Sequence, residues 1–344
     1  MTKTQIDQLI TKGQFPGNTG RPVLIETHIS WVAVGDRFTY KIKRPIQYSF
    51  LDFSTLEKRK HFCEREVELN KRFTDDIYVD VQPVREKHAQ YYIGSEEGTI
   101  IDYAVKMHTV DRNRQMDILV ADNNVTPGDI KKLAEKIASF HQATTILLQK
   151  DFLDVQEKFN DLEAENVYLS EHLEEEDRKI ISHAIAVSDA FIKKHTPLLA
   201  ARLKAGFFRD CHGDLHSRNI FLLGTTQPFD CIEFNDDFRQ IDVLNEIAFL
   251  CMDLDSFGRQ DLSELFLQYY IAQFPAMQTA EEKLLFIYYK SYRANIRAKV
   301  NSLRARSAGN ETERTNALAE SRKYLRLMNS YIEILDMAKT FEIM

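Results

Sequence analysis

The sequence predicts an α+β protein of two lobes, a small β-rich N-lobe with one main helix over residues 1–108 and a larger, mostly helical C-lobe over 109–344. Three observations predict this. Apolar residues alternate in short runs through the first third of the chain. After about His108 they recur at helical spacing instead. The length of 344 residues exceeds a typical single domain but falls short of two generous ones, as suits a bilobed chain.

The first strands read as a meander. Val23 to His28 is strand-like, and Trp31 to Val34, the Gly35-Asp36 turn and Arg37 to Lys43 read as strand, tight turn, strand. Pro45 ends the third strand. Ser54-Thr55-Leu56-Glu57 has the pattern of a capping box and opens a charged amphipathic helix running to about Phe73. Further strands follow at Val79 to Val84, Tyr91 to Ile93 and Ile100 to Met107, with Gly94 and Gly98 marking turns.

In the second part, Pro127-Gly128-Asp129 starts a helix whose Ile130, Leu133, Ala134, Ile137, Ala138 and His141 form one apolar stripe. His141 on that stripe reads as a satisfied structural histidine. Residues 151–200 continue as helices around the acidic run 174–177, and residues 261–343 predict three more helices. Two short strands interrupt them, Ile220 to Leu223 and Phe229 to Phe234. The turn from Gly224 to Pro228 makes them a hairpin.

Composition narrows the function. Forty-five basic against 52 acidic residues give a net charge of −7, the wrong sign for a generic nucleic-acid binder. Cys63, Cys211, Cys231 and Cys251 have no metal-ligand spacing and read as buried reduced thiols. No signal-peptide core opens the chain and no run approaches 18 apolar residues, so a cytoplasmic location without membrane attachment is expected. Neither repeats nor low-complexity linkers are evident.

The stretch His212-Gly213-Asp214-Leu215-His216-Ser217-Arg218-Asn219 carries the chemistry. Phosphoryl transfer needs a carboxylate near the attacking hydroxyl, hard oxygen ligands for magnesium and a cation on the phosphates. Asp214 and Asn219 stand five apart, the spacing of the base and the metal-binding Asn in the kinase loop HRDxxxxN. Glu233 follows at the end of the second expected hairpin strand, where antiparallel pairing would return it toward Asn219.

These residues resemble the aminoglycoside phosphotransferase-like kinases of the protein-kinase-like superfamily, whose loop reads HGDxxxxN and whose metal carboxylate sits in an IDF-type segment. Here HGDLHSRN is followed by IEFND, and Ile241 to Ala248 resembles the family's GDPxxDLA helix start. THIS, YKIKRP and FLDFSTLEKR are similar to an uncharacterised bacterial subgroup, some members of which are fused to a P-loop ATPase domain. This sequence carries no such P-loop motif.

The resemblance implies a protein-kinase-like fold with ATP between the lobes and magnesium as the metal. It makes Asp214 the catalytic base, His212 a brace of the loop, Asn219 and Glu233 the metal ligands, and Asp242 a helix cap that also holds the catalytic loop. YKIK is similar to the kinase VAIK strand, which makes Lys43 the phosphate-binding lysine and Glu66 its partner; Lys41 shares its strand face and is the substitute. The segment Thr27 to Ser30 lacks glycine, so Ser30 or His28 would supply side-chain donors. Val105, Lys106 and Met107 resemble the adenine-binding hinge. Glu233 stands where the family has Asp and Asn235 where it has Gly.

Lys290, Arg293 and Arg297 recur on one helical face among aromatic residues. Either the face is simply solvated, or it borders the cleft and Arg293 and Arg297 bind an anionic acceptor. His216 and Arg218 fit substrate contact and loop bracing equally. The expected function is therefore ATP- and magnesium-dependent transfer of phosphate to a hydroxyl of a small molecule. A protein Ser/Thr kinase and a catalytically weak nucleotide-binding pseudokinase are the alternatives.

Overall fold

The computed structural model describes residues 1–174, 177 and 179–341, so part of the acidic run at 174–177 lies outside it. The chain divides into two compact units, one of residues 1–118 with 218–238, the other of 119–217 with 239–344. The boundary thus falls ten residues beyond the expected 108. The segment 218–238, expected in the helical lobe, belongs with the sheet.

The first unit is built on an antiparallel six-stranded sheet. Its strands are β1 (Val23–Glu26), β2 (Ser30–Val34), β3 (Phe38–Lys43), β4 (Tyr78–Lys87), β5 (Gln90–Ile93) and β6 (Thr99–His108), in spatial order β1-β2-β3-β6-β4-β5. Register explains how the lysines are placed: Ser30 pairs with Lys43 and Val105 with Lys41. Alternation then turns Lys41 and Lys43 to one face.

Two helices accompany this sheet rather than one. α1 (Lys3–Lys12) went unforeseen because its charged, polar composition hides a short apolar stripe; Ile6 and Leu9 are buried, and Thr2 with Gln5 forms a capping box. α2 (Leu56–Asn70) is the expected main helix, capped one residue later than its pattern suggested: Thr55 accepts from the Lys58 amide. Cys63, Val67, Ile77, Tyr78, Val105 and Phe221 form the core beneath it.

The hairpin departs from expectation in a way that matters for Glu233. Its strands are β8 (Ile220–Leu222) and β9 (Thr226–Pro228), following β7 (Phe208–Asp210) of the other unit. Pro228 has no amide to extend the ladder, and Asp230 then takes a positive φ of 61°, which turns the chain out of extended conformation. Glu233 therefore lies in an irregular segment beyond the hairpin. Its ends still meet, because the Phe229 amide donates to the Asn219 carbonyl at 2.9 Å.

In the second unit, α3 (Pro127–Ala143) buries the whole predicted stripe, with Thr126 and Asp129 as its capping box. The histidine expected to be structural is so: His141 Nδ1 lies 2.7 Å from the Tyr270 hydroxyl, and burial pushes its pKa down to about 3, leaving it neutral. The other long helices of the unit are α4 (Ile180–Lys204), α5 (Val243–Ser256), α6 (Gln260–Gln273), α7 (Ala280–Arg306) and α8 (Glu311–Phe341); β7 pairs with β10 (Gln240–Asp242), and short helices span Asp154–Asn160 and Asn166–His172. α5 is buried from Val243 to Asp255, so every face must be matched by a neighbour.

Asp242 at the start of α5 accepts from the Leu244 amide at 2.8 Å and takes both Arg202 Nε and Nη2, at 2.6 and 2.8 Å. Arg202 also reaches Glu282 at 2.6 Å. Asp242→Ala strands a buried guanidinium and removes a helix cap, so a loss of about 3–5 kcal/mol is expected in denaturant unfolding. A loss below about 1 kcal/mol would show that Glu282 alone satisfies Arg202.

All four cysteines are buried thiols, as expected. Among the described residues no helix is long and apolar enough to cross a membrane.

Candidate active site

Two constellations, one in each unit, contain the residues singled out in the sequence. In the first, Lys43 on β3 is fully buried and donates to Glu66 Oε2 of α2 at 2.6 Å. The same ammonium contacts Glu233 Oε1. Lys41 donates to Glu66 Oε1 at 2.8 Å and to Asp230 Oδ1 at 2.6 Å. Both lysines therefore engage Glu66, and each takes a second carboxylate from the segment after the hairpin.

Burial works against each of these charges, and the neighbours decide the outcome. For Lys43, burial lowers the pKa but Glu233 and Glu66 raise it further, so the ammonium stays protonated. Lys41 is held charged in the same way by Asp230 and Glu66. Burial pushes Glu66 up, yet the two lysines bring it down to about 2. Glu233 goes the other way: burial raises it, Lys43 offsets part of that, and Glu66 adds a further push.

Ser30 begins β2 opposite Lys43, with its Oγ buried and lacking a hydrogen-bond partner among the described residues. The turn before it is closed by Thr27, whose Oγ1 accepts from the Ser30 amide at 2.9 Å. A side-chain hydroxyl is thus presented where a glycine-rich loop would offer amides. His28 in that turn is exposed.

Val105, Lys106 and Met107 differ from the expected hinge, because β6 is paired with β3 on one side and β4 on the other through all three. Their peptide groups serve the ladders, leaving Val105 and Met107 to contribute side chains. The chain leaves the sheet only after His108.

Asn219 is buried directly before β8. It and Glu233 offer hard oxygen donors, and among the described residues no group of three or more His, Cys, Asp or Glu side chains is arranged to hold a metal ion by itself. A sparse set of this kind fits magnesium, which takes one or two protein ligands and completes its shell with phosphate oxygens and water.

In the second unit the loop from His212 to Ser217 is bound to α5 at both ends. Glu246 accepts from the His212 amide at 2.7 Å and from the Gly213 amide at 3.0 Å. Asp253, seven residues along the same helix, accepts from the Ser217 amide at 2.9 Å. Arg293 of α7 donates to the Gly213 carbonyl at 3.1 Å and to Asn245 Oδ1 at 2.7 Å. Gly213 has a φ of 89°, a conformation that costs a residue with Cβ.

Asp214 projects from this anchored loop. Burial would raise its pKa, but His216, Arg297 and His212 outweigh that and hold it well below the usual carboxylate range. His216 Nε2 lies 3.4 Å from Asp214 Oδ2. His212 is wholly buried, with its Nδ1 3.3 Å from the Asp214 amide.

The sequence reading missed Glu246 and Asp253, the two residues that hold the loop. Their signal was the i, i+7 spacing on a mostly apolar helix buried on all faces, where a carboxylate has to have a buried partner. Asp242, expected to hold the loop, faces Arg202 and the helix start instead. Arg293, expected at an anionic substrate, is 4% exposed and already spent on Gly213 and Asn245.

An anchored HGD loop, a helix-paired strand lysine and a carboxylate beyond a short hairpin define a kinase-like phosphotransferase architecture. The chain belongs to the APH phosphotransferase enzyme family, which it matches over residues 66–282. Uncharacterized proteins of Mycobacterium tuberculosis and Mycobacterium bovis are 30% identical over 284 residues, 81% of this chain and 54% of each relative. The chain thus spans about half the length of the curated relatives it matches. Among solved structures, the choline kinase of Cryptosporidium parvum is similar with a TM-score of 0.52 at 10% identity, over 94% of this chain and 89% of that one. The GDP complex of an aminoglycoside 2'-phosphotransferase-IIIa mutant gives 0.52 at 10%, over 95% and 97%. At such identities these likenesses show the fold alone.

Proposed function

We propose that this protein transfers the γ-phosphate of ATP, with magnesium, to a hydroxyl group of a small molecule. The observation that carries the reading is the Lys43 ammonium, held by Glu66 of α2 and in contact with Glu233. A buried lysine fixed in this way is a preorganised cation for nucleotide phosphates. Ser30, whose enclosed Oγ has no partner among the described residues, adds a donor beside it.

Asn219 and Glu233 would hold the metal, which supplies charge neutralisation for the phosphates. Asp214 orients the acceptor hydroxyl and takes its proton. Its depressed pKa makes it a weak base, so positioning is its larger contribution, as suits a loose phosphoryl-transfer transition state. Glu246, Arg293 and Asp253 keep the loop in place while this happens.

Magnesium titration of nucleotide turnover tests the metal assignment. Asn219→Ala and Glu233→Ala are each expected to raise the magnesium concentration for half-maximal turnover by roughly tenfold or more. Unchanged magnesium dependence in both variants would remove the assignment. Phosphate transfer to a generic peptide in preference to small alcohols would favour a protein kinase.

A further inference from the structure

The sequence grouped Arg293 with Arg297, but the fold separates them. Arg293 is consumed by the catalytic loop, as described. Arg297, four residues along α7, is partly exposed, and its enclosed Nε has no hydrogen-bond partner among the described residues. Its guanidinium lies 5.4 Å from the centre of the Tyr324 ring.

The acids that act on Arg297 are occupied elsewhere. Asp253 is bonded to Ser217, and Asp214 faces His216. The Nε of each other buried arginine of this unit has an acceptor: Asp242 for Arg202 and Asp210 for Arg239, the Gly206 carbonyl for Arg209 and Asn245 for Arg293. Tyr324 takes part of this guanidinium through its ring and a side-chain hydrogen bond, but among the described residues no carboxylate is ion-paired with it and its Nε has no acceptor, which leaves the charge available to an anion. Burial lowers its pKa, but Tyr324, Asp253 and Asp214 raise it by more, so the group remains a cation. The buried, unpartnered Nδ1 of His216 adds a second polar atom next to Asp214.

We propose that Arg297 binds an anionic group, a carboxylate or phosphate, on the acceptor whose hydroxyl Asp214 engages. This rests on the reading of Asp214 given above, and it defines the acceptor class as hydroxylated anions. The planar fork of Arg297 would fix the acceptor by one end while the loop addresses its hydroxyl. The nucleotide's phosphates are the other source of such an anion. Lys43 and Ser30 already serve them in the first unit, and Arg297 shares its unit with Asp214.

Inorganic phosphate is the probe, titrated calorimetrically into the full chain with and without saturating magnesium and a non-hydrolysable ATP analogue. In the wild type, saturable one-site binding of phosphate is expected in the presence of the nucleotide. Arg297→Gln should weaken it by roughly tenfold or more, and Arg297→Lys by less, because the charge is retained. Nucleotide affinity should be the same in all three.

Displacement of phosphate by the nucleotide, or loss of nucleotide affinity in Arg297→Gln, would assign Arg297 to the nucleotide and overturn the proposal. Equal phosphate affinity in wild type and Arg297→Gln, or no saturable binding, would leave Arg297 a purely structural contact of Tyr324. If the nucleotide itself fails to bind the wild type, the kinase reading fails, and the phosphate titration without nucleotide still decides whether Arg297 holds an anion.

Discussion

Asp214→Asn is expected to lower turnover by about 10²–10⁴-fold while leaving nucleotide affinity within about twofold, since a positioned acid–base group contributes in that range. The amide nearly preserves the shape of the side chain, and the loop is anchored through His212, Gly213 and Ser217 rather than through Asp214's own carboxylate. Removing one negative charge also leaves the Arg297 guanidinium less compensated, so a small change in stability accompanies the loss. Steady-state turnover with a responsive acceptor and equilibrium nucleotide binding check the two halves separately. Full activity in Asp214→Asn would refute its role, whatever the acceptor.

Glu246→Gln carries the second large effect, and it is pH-dependent. Burial pushes the Glu246 carboxyl up to about 7; Arg293 and the His212 and Gly213 amides pull it down, and Asp214 pushes it up. A carboxyl whose folded pKa is raised contributes stability that is present below its unfolded value and is lost as pH rises through the folded one. Between about pH 4.5 and pH 7 Glu246 therefore makes the wild type progressively less stable, by at most about 3 kcal/mol over the window. Glu246→Gln abolishes that slope, because glutamine does not titrate.

The same substitution replaces an acceptor of two amides by a group with one acceptor oxygen. One of the His212 and Gly213 amides then loses its partner, at a cost of about 1–3 kcal/mol, and the loop loosens. Activity should fall even at pH 5, where wild-type Glu246 is largely protonated. Denaturation midpoints from pH 4.5 to 8 for both proteins measure the slope. Parallel curves would show that Glu246 does not titrate in that range.

Much of the HGD loop was legible because its spacing is local. Asp214 and Asn219 lie within one short stretch, and the pattern HGDLHSRN constrains both. Glu66 could be paired with Lys43 because YKIK resembles the kinase VAIK strand, and that resemblance implies a helix glutamate as the lysine's partner. That Lys41 also engages Glu66 was not legible. It depends on how far two long side chains reach, and on Asp230, which lies 189 residues away in the sequence.

The anchoring of the loop was hidden for a related reason. Glu246 and Asp253 stand on a helix that hydropathy marks only as buried, and burial does not say which backbone amides a carboxylate will meet. Arg293 and Arg297 look equivalent on a helical wheel, yet a rotation of about 40° around α7 gives one a carbonyl and an amide and leaves the other open. What the second does have is Tyr324 of α8, so such differences arise from packing between elements distant in sequence.

By itself the sequence determined the α+β class, the strands of the sheet, the main helix to within one residue of its cap, and the loop that carries Asp214. These follow from periodicity and short-range spacing. The tertiary structure alone decided that segment 218–238 joins the sheet unit, that Glu233 lies past a proline and a left-handed aspartate, and that Glu246 rather than Asp242 holds the loop. In each case the deciding term is the requirement that a buried charge or peptide group find a partner, and the partner comes from a remote part of the chain.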